Sequence, residues 1–159
     1  MEDHANHAHH DGGSRPYVML AVNLGLSLLV MYLAMFAMIW TWGEFIQNIN
    51  FFYMALVMWA PMGAIMLATM GGMYRNRKLN AALYLAFAAI FVLSLLGIRQ
   101  QSLVGDDQFL RSMIPHHSGA ILMCEEAKLI DPELRQLCGE IVQVQKQEID
   151  QMKRIMARL

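Results

Sequence analysis

Three long apolar runs fill most of the first hundred positions of the chain. They cover residues 17–42, 51–73 and 79–98, and each has roughly the 20 residues that a helix needs to cross a bilayer. Backbone polar groups inside a bilayer must be hydrogen-bonded within the segment, which favours helices over other structures. The pattern therefore predicts a three-span transmembrane region over residues 17–98, with the lipid bilayer as a partner.

Residues 106–159 have a different pattern, in which charged side chains alternate with apolar ones at helical spacing. The stretch from Asp131 to Leu134 is typical of a helix start, because an Asp cap is followed by Pro and then Glu. We expect a first helix capped by Asp106 or Asp107, interrupted near Pro115 and ending at about residue 129. A second helix should run from residue 132 to about residue 158, which gives an antiparallel helical hairpin. The predicted fold class is all-α.

Composition supports a membrane protein and argues against several functions. The chain is 57% hydrophobic and 16% charged, with a net charge of −1. It has no Lys/Arg patch interleaved with aromatic residues, so nucleic acid is not an expected partner. It also lacks a nucleophile–base constellation and a nucleotide-binding loop, so we do not expect an enzyme.

Positive charges predict the orientation in the membrane. Arg75, Arg77 and Lys78 lie between the second and third runs, whereas the loop after the first run has no positive charge. Loops rich in Lys and Arg stay on the cytoplasmic side. The N-terminal arm, residues 1–16, is rich in His and expected to be disordered; it should then be cytoplasmic. The hairpin should be periplasmic, on a bacterial inner membrane.

The short turn of the hairpin sets which residues lie level across its two helices. With the turn centred near Asp131, Cys124 lies level with Cys138, and His117 with Gln145. A possible disulfide between the two cysteines is one of three open alternatives. The others are a pair of metal thiolates and a pair of unreactive buried thiols.

Sulfur and imidazole side chains recur along the inner seam of the hairpin. Thioether, thiolate and imidazole ligands together suit Cu(I), or the similar soft ion Ag(I). The alternative is an apolar packing face that contains sulfur. The candidate metal ligands are Met113, His116, His117, Met123, Cys124, Glu148 and Met152.

The second apolar run carries a methionine at every fourth position. A ladder of thioethers could pass Cu(I) across the membrane, whereas the alternative is that flexible methionines fill gaps between helices. A stripe of small residues, which begins at Ala60 and includes Gly72, should lie on the opposite side of the helix and let a neighbour approach. The candidate membrane path consists of Met54, Met58, Met62, Met66 and Met70.

The hairpin resembles the domain of unknown function 305 family, a ferritin-like helical group. The resemblance covers residues 106–156 and rests on the Met113, His116 and His117 motif and on the segment from Gln145 to Met152. Some members of that family are periplasmic copper-binding proteins linked to copper tolerance, which implies a similar role here. The three-span region is expected to lie outside the shared domain.

These observations lead to one main hypothesis and two alternatives. The main hypothesis is a membrane-anchored Cu(I)- or Ag(I)-binding protein for copper homeostasis or tolerance. The alternatives are a methionine-lined copper channel and a structural membrane module without metal. Because two helices alone bury little surface, the hairpin is expected to pair with another copy in a homo-oligomer.

Overall fold

The computed structural model describes residues 15–159, and in this part of the chain all regular structure is helical. Two 3₁₀ turns, Met35–Met38 and Trp42–Glu44, lie between the first two helices. The predicted disordered arm lies outside the described residues, apart from Arg15 and Pro16, which begin the first helix. The helices are α1 (Arg15–Ala34), α2 (Ile49–Thr69), α3 (Arg77–Gln100), α4 (Asp106–Glu126) and α5 (Pro132–Met156).

Helices α1 to α3 are long and apolar enough to span a membrane, which confirms the three predicted apolar helices. The first span is shorter than the apolar run over residues 17–42, because the α-helix ends at Ala34 and a 3₁₀ turn continues it only to Met38. The following residues, 35–48, form a loop that we call the first loop. Phe36 in this loop is buried whereas Trp42 is 88% exposed, and hydropathy alone does not separate such a segment from a membrane helix.

The three spans come close together at Gly63 on α2. A Cβ atom there would lie 2.7 Å from the ring of Phe87 on α3 and 3.2 Å from Leu24 on α1.

The predicted stripe of small residues on α2 is only half right. Ala60 is fully buried, but Gly72 at the far end is exposed and has no neighbour within 4 Å of a built Cβ.

The turn of the hairpin forms as predicted. The side chain of Asp131 accepts hydrogen bonds from the backbone N–H groups of Glu133 and Leu134, and Pro132 occupies the first turn of α5. Cys124 and Cys138 form a disulfide, with Cα atoms 5.2 Å apart. The two helices are thus joined at the end of the hairpin nearest the turn.

Helix α4 differs from its prediction in three respects. Gly105 occupies the N-cap position and provides no side-chain cap. Asp106 and Asp107 lie in the first turn, where their negative charges interact favourably with the positive end of the helix dipole. The helix ends at Glu126 rather than near residue 129, and it runs through Pro115 without interruption. Ile114, Pro115 and Ile121 are buried, so packing offsets the one backbone hydrogen bond that proline removes.

The hairpin does not stand apart from the membrane region. Helix α4 packs against the first loop as well as α5. The hydroxyl of Ser118 accepts a 2.6 Å hydrogen bond from the Trp40 N–H and donates to the carboxylate of Glu44. Lys153 on α5 lies 3.5 Å from the same carboxylate. The first loop therefore covers one side of the hairpin.

A second set of hydrogen bonds ties α4 to the start of α2. Asn48 caps α2 by accepting the Phe51 N–H at 2.9 Å. The side chain of Gln108 accepts the N–H of Ile49 at 3.0 Å, and Asn50 donates to the Ser112 hydroxyl at 3.1 Å. The side chains of Gln108 and Ser112 thus join α4 to the first turn of α2.

Candidate metal site

His117 points from α4 towards α5 and is largely buried, with its side chain 11% exposed. Its Nδ1 lies 2.8 Å from the backbone carbonyl oxygen of Met113, one helical turn earlier. A carbonyl oxygen only accepts, so Nδ1 carries the proton. Nε2 lies 3.0 Å from the Glu148 carboxylate, which also only accepts, so this contact is a hydrogen bond when both ring nitrogens carry a proton, and a cation bound at Nε2 would replace that second proton.

Glu148 places this pair at the edge of the hairpin. Its side chain is 46% exposed, and the same carboxylate oxygen accepts a 3.4 Å hydrogen bond from Gln145. The hydrogen bond between Nδ1 and the Met113 carbonyl thus orients the ring. The second nitrogen, Nε2, points towards the solvent-accessible carboxylate of Glu148.

Two methionines lie about one helical turn from this pair, Met113 before His117 on α4 and Met152 after Glu148 on α5. Met152 is buried on α5 beside Ile149, in the apolar cluster that joins α4 to α5, and Met113 packs against that cluster. We call Met113, His117, Glu148 and Met152 the His117 cluster. It contains one imidazole, one carboxylate and two thioethers.

The remaining predicted ligands do not join this cluster. His116 is exposed, and its ring centre is 6.1 Å from that of His117, because consecutive helical residues point about 100° apart. Met123 and Cys124 follow His117 by six and seven residues, which is about 10 Å along the helix axis. In the disulfide, Cys124 has no thiolate to offer a metal. The seven candidates therefore do not make one site.

Hard and borderline metal ions lack an obvious ligand set in the described residues. Within residues 15–159, no three His, Cys, Asp or Glu side chains come together in a way that could hold a metal. An ion bound at the His117 cluster would thus depend on methionine sulfur. This donor set suits a soft monovalent ion better than Zn²⁺ or Ca²⁺.

A family model described as a domain of unknown function (DUF305) matches residues 60–156, which is more than half of the chain. The chain belongs to the DUF305 family. The match begins inside α2, so the expectation that the spans lie outside the shared domain is wrong for the second half of α2 and for α3.

A viral relative extends this likeness. The uncharacterized protein L153 of Acanthamoeba polyphaga mimivirus is 30% identical to this DUF305 protein over 116 residues. The alignment covers 72% of this chain and 74% of the viral protein. It is longer than the hairpin, so it includes part of the apolar region. No solved structure matches the chain.

The methionine stripe straddles the start of the DUF305 match and does not keep to one surface. Met54, Met58 and Met70 are exposed on the outside of the helical bundle. Met62 and Met66 are half-buried and pack against the core of the three spans. The stripe therefore passes from the outer surface into the packing between helices at Met62 and Met66 and returns to the outer surface at Met70.

Sequence reasoning missed the contacts between the first loop and the hairpin. Lys146 on α5 lies 4.3 Å from the ring centre of Trp40, and it also pairs with Glu125 at 3.2 Å. One signal could have revealed this interface. Glu44 is the only charged residue between Arg15 and Arg75, and a lone carboxylate in an apolar region needs polar partners.

Proposed function

We propose that this DUF305 protein is a membrane-anchored Cu(I)- or Ag(I)-binding protein that serves copper homeostasis or tolerance. It binds and delivers the ion and does not catalyse a reaction. The observation that carries the proposal is the orientation of His117. Its Nδ1–H is held by the Met113 carbonyl, so Nε2 is directed towards the opening of the His117 cluster.

The chemistry of the cluster supports this choice of ion. Metal-binding histidines commonly donate their second ring N–H to a carbonyl or carboxylate, which fixes the tautomer and the ring orientation. Thioether sulfur from Met113 and Met152 favours Cu(I) over hard cations. The Glu148 carboxylate is a poor ligand for a soft ion, and its role is to lower the electrostatic cost of placing a positive charge there.

The site would face an oxidising compartment. Arg75, Arg77 and Lys78 favour a cytoplasmic loop between α2 and α3, which puts the first loop and the hairpin on the opposite side. A disulfide between Cys124 and Cys138 agrees with such a compartment. In the proposed setting, a bacterial inner membrane, the hairpin lies in the periplasm and the N-terminus in the cytoplasm.

The proposal is tested by calorimetric titration of the full-length protein in detergent with Ag(I). Silver needs no reductant, so the disulfide stays intact during the measurement. Cu(I) is then measured by competition with a chromogenic chelator in ascorbate. We expect His117→Ala, Met113→Leu and Met152→Leu each to weaken binding at least tenfold, because leucine keeps the volume but removes the sulfur.

Met123→Leu is the matched control, since Met123 is exposed and lies almost three helical turns from Met113. Its affinity should equal that of the wild type. Wild-type protein that fails to compete for Cu(I) or to bind Ag(I) would overturn the proposal. So would methionine variants that bind as tightly as the wild type, because the His117–Glu148 pair would then be only a bridge between the two helices.

A further inference from the structure

One side of the hairpin is apolar and uncovered. Side chains at helical spacing on both helices point to this side, and most of the large ones are about half exposed. We call it the open face. Its apolar members are Phe109, Met113, Ala120 and Met123 on α4, and Leu134, Leu137, Ile141, Val144 and Ile155 on α5.

The open face lies opposite the side that the first loop covers. On α4, Ser118 contacts the first loop and His116 lies on the open face. Residues two positions apart in a helix point about 200° apart around its axis, so these two side chains lie on opposite sides. The same relationship holds on α5, where Lys146 contacts Trp40 and Val144 is exposed. The hairpin is thus a two-helix layer with one covered and one uncovered side.

The charge of the open face argues against a lipid surface as its occupant. Neither helix contributes Lys or Arg to this face, and its polar members are His116 and Glu148. Helices that lie on bilayers carry Lys and Arg beside their apolar side chains, which attract anionic headgroups. The same face on a second copy of the chain is apolar too, and contact between the two faces needs no Lys or Arg.

The size of the open face fits a dimer. On α5 it extends from Leu134 to Ile155, which is about 30 Å, and two helices side by side are about 20 Å wide. Two such faces in contact would remove roughly 1,200 Å² in total from solvent, at the lower limit of stable protein interfaces. Anchoring in one membrane raises the local concentration of the second copy.

We propose that a second copy of this chain docks on the open face, so that the two hairpins form a four-helix bundle. The arrangement buries His116 of each copy between the subunits, beside apolar side chains. The inference follows from the apolar pattern and not from metal binding. The open face shares Met113 and Glu148 with the His117 cluster, but its test measures the mass of the assembly and not metal affinity, so the two proposals can fail separately.

The test measures the mass of the full-length protein in detergent by light scattering, with and without Ag(I). We expect a dimer for the wild type and a monomer for Leu137→Glu/Val144→Glu. The control, Gln143→Glu/Gln147→Glu, adds the same charge at exposed positions of α5 outside the open face and should remain a dimer. Circular dichroism should show equal helix content in all three proteins.

Two results would overturn the inference. The first is a dimeric Leu137→Glu/Val144→Glu variant, which would place the contact in the spans. The second is a monomeric wild type. In that case, slow reaction of a Val144→Cys variant with a water-soluble maleimide in single-copy nanodiscs would assign the face to the lipid surface. Dimers without Ag(I) binding would support this inference while contradicting the copper proposal.

Discussion

The hydroxyl of Ser118 donates a 2.5 Å hydrogen bond to the carboxylate of Glu44, 74 residues earlier in the chain. Both residues are buried, and the same hydroxyl accepts the backbone N–H of Trp40 at 2.6 Å. One small side chain thus satisfies two polar groups of the first loop, and it joins the loop to the middle of α4.

Ser118→Ala should destabilise the protein by about 1–3 kcal/mol, because it leaves the Glu44 carboxylate and the Trp40 N–H short of a partner. The free energy of unfolding in detergent, followed by tryptophan fluorescence, measures the loss. Ser102→Ala is the matched control, since the Tyr53 hydroxyl binds the backbone oxygen of Ser102 and not its side chain. Equal stability of the two variants would contradict the predicted role of Ser118.

Gly63→Ala should disrupt the packing of the three spans. The added methyl group would lie 2.7 Å from Phe87, and we expect a loss of about 1–3 kcal/mol as the helices separate. Gly25→Ala on α1 meets nothing within 4 Å and should be neutral or slightly stabilising. The free energies of unfolding of the two variants provide the comparison, and a Gly63→Ala protein as stable as Gly25→Ala would exclude close packing at this position.

Loss of the disulfide should destabilise the hairpin. The bond between Cys124 and Cys138 spans 14 residues, and closing a loop of this length stabilises a protein by about 3 kcal/mol. We expect Cys124→Ser/Cys138→Ser to unfold at a lower denaturant concentration than the oxidised wild type. Reductant should lower the wild-type midpoint to that of the double variant and leave the variant unchanged. A midpoint that does not respond to reductant would show that the cysteines are not paired.

Replacing methionines in the membrane should not affect the hairpin. The triple variant Met58→Leu, Met62→Leu and Met66→Leu keeps side-chain volume, so Ag(I) affinity of the purified protein should equal that of the wild type. Metal flux into proteoliposomes should also be the same for both proteins. Lower flux with unchanged affinity would instead favour the methionine-lined channel.

The parts of the fold that sequence patterns predicted correctly depend on local signals. Asp131, Pro132 and Glu133 define the start of α5 within three residues. The register that placed Cys124 level with Cys138 followed from that turn, although the pattern left the state of the two cysteines open. Length and hydropathy were enough for the three apolar helices, because a helix in a bilayer needs no specific partner.

The parts that could not be predicted depend on contacts between distant segments. Glu44, Trp40 and Ser118 are ordinary residues in their own segments, and only the folded chain brings them together. Helical periodicity placed the candidate ligands on the hairpin but did not account for distance along the axis. Met123 and Cys124 therefore fell into the same predicted set as His117, although they lie about 10 Å further along the helix.

The contact between the first loop and α4 also has a consequence for the order of assembly. Glu44 is synthesised before α2, α3 and the hairpin, and chains fold from the N-terminus as they emerge. The hairpin, which is made last, thus meets a docking surface that is already in place at the membrane. A chain that stops after α3 would expose the surface of the first loop that α4 normally covers. A hairpin made alone would lack the first loop, which covers one of its sides.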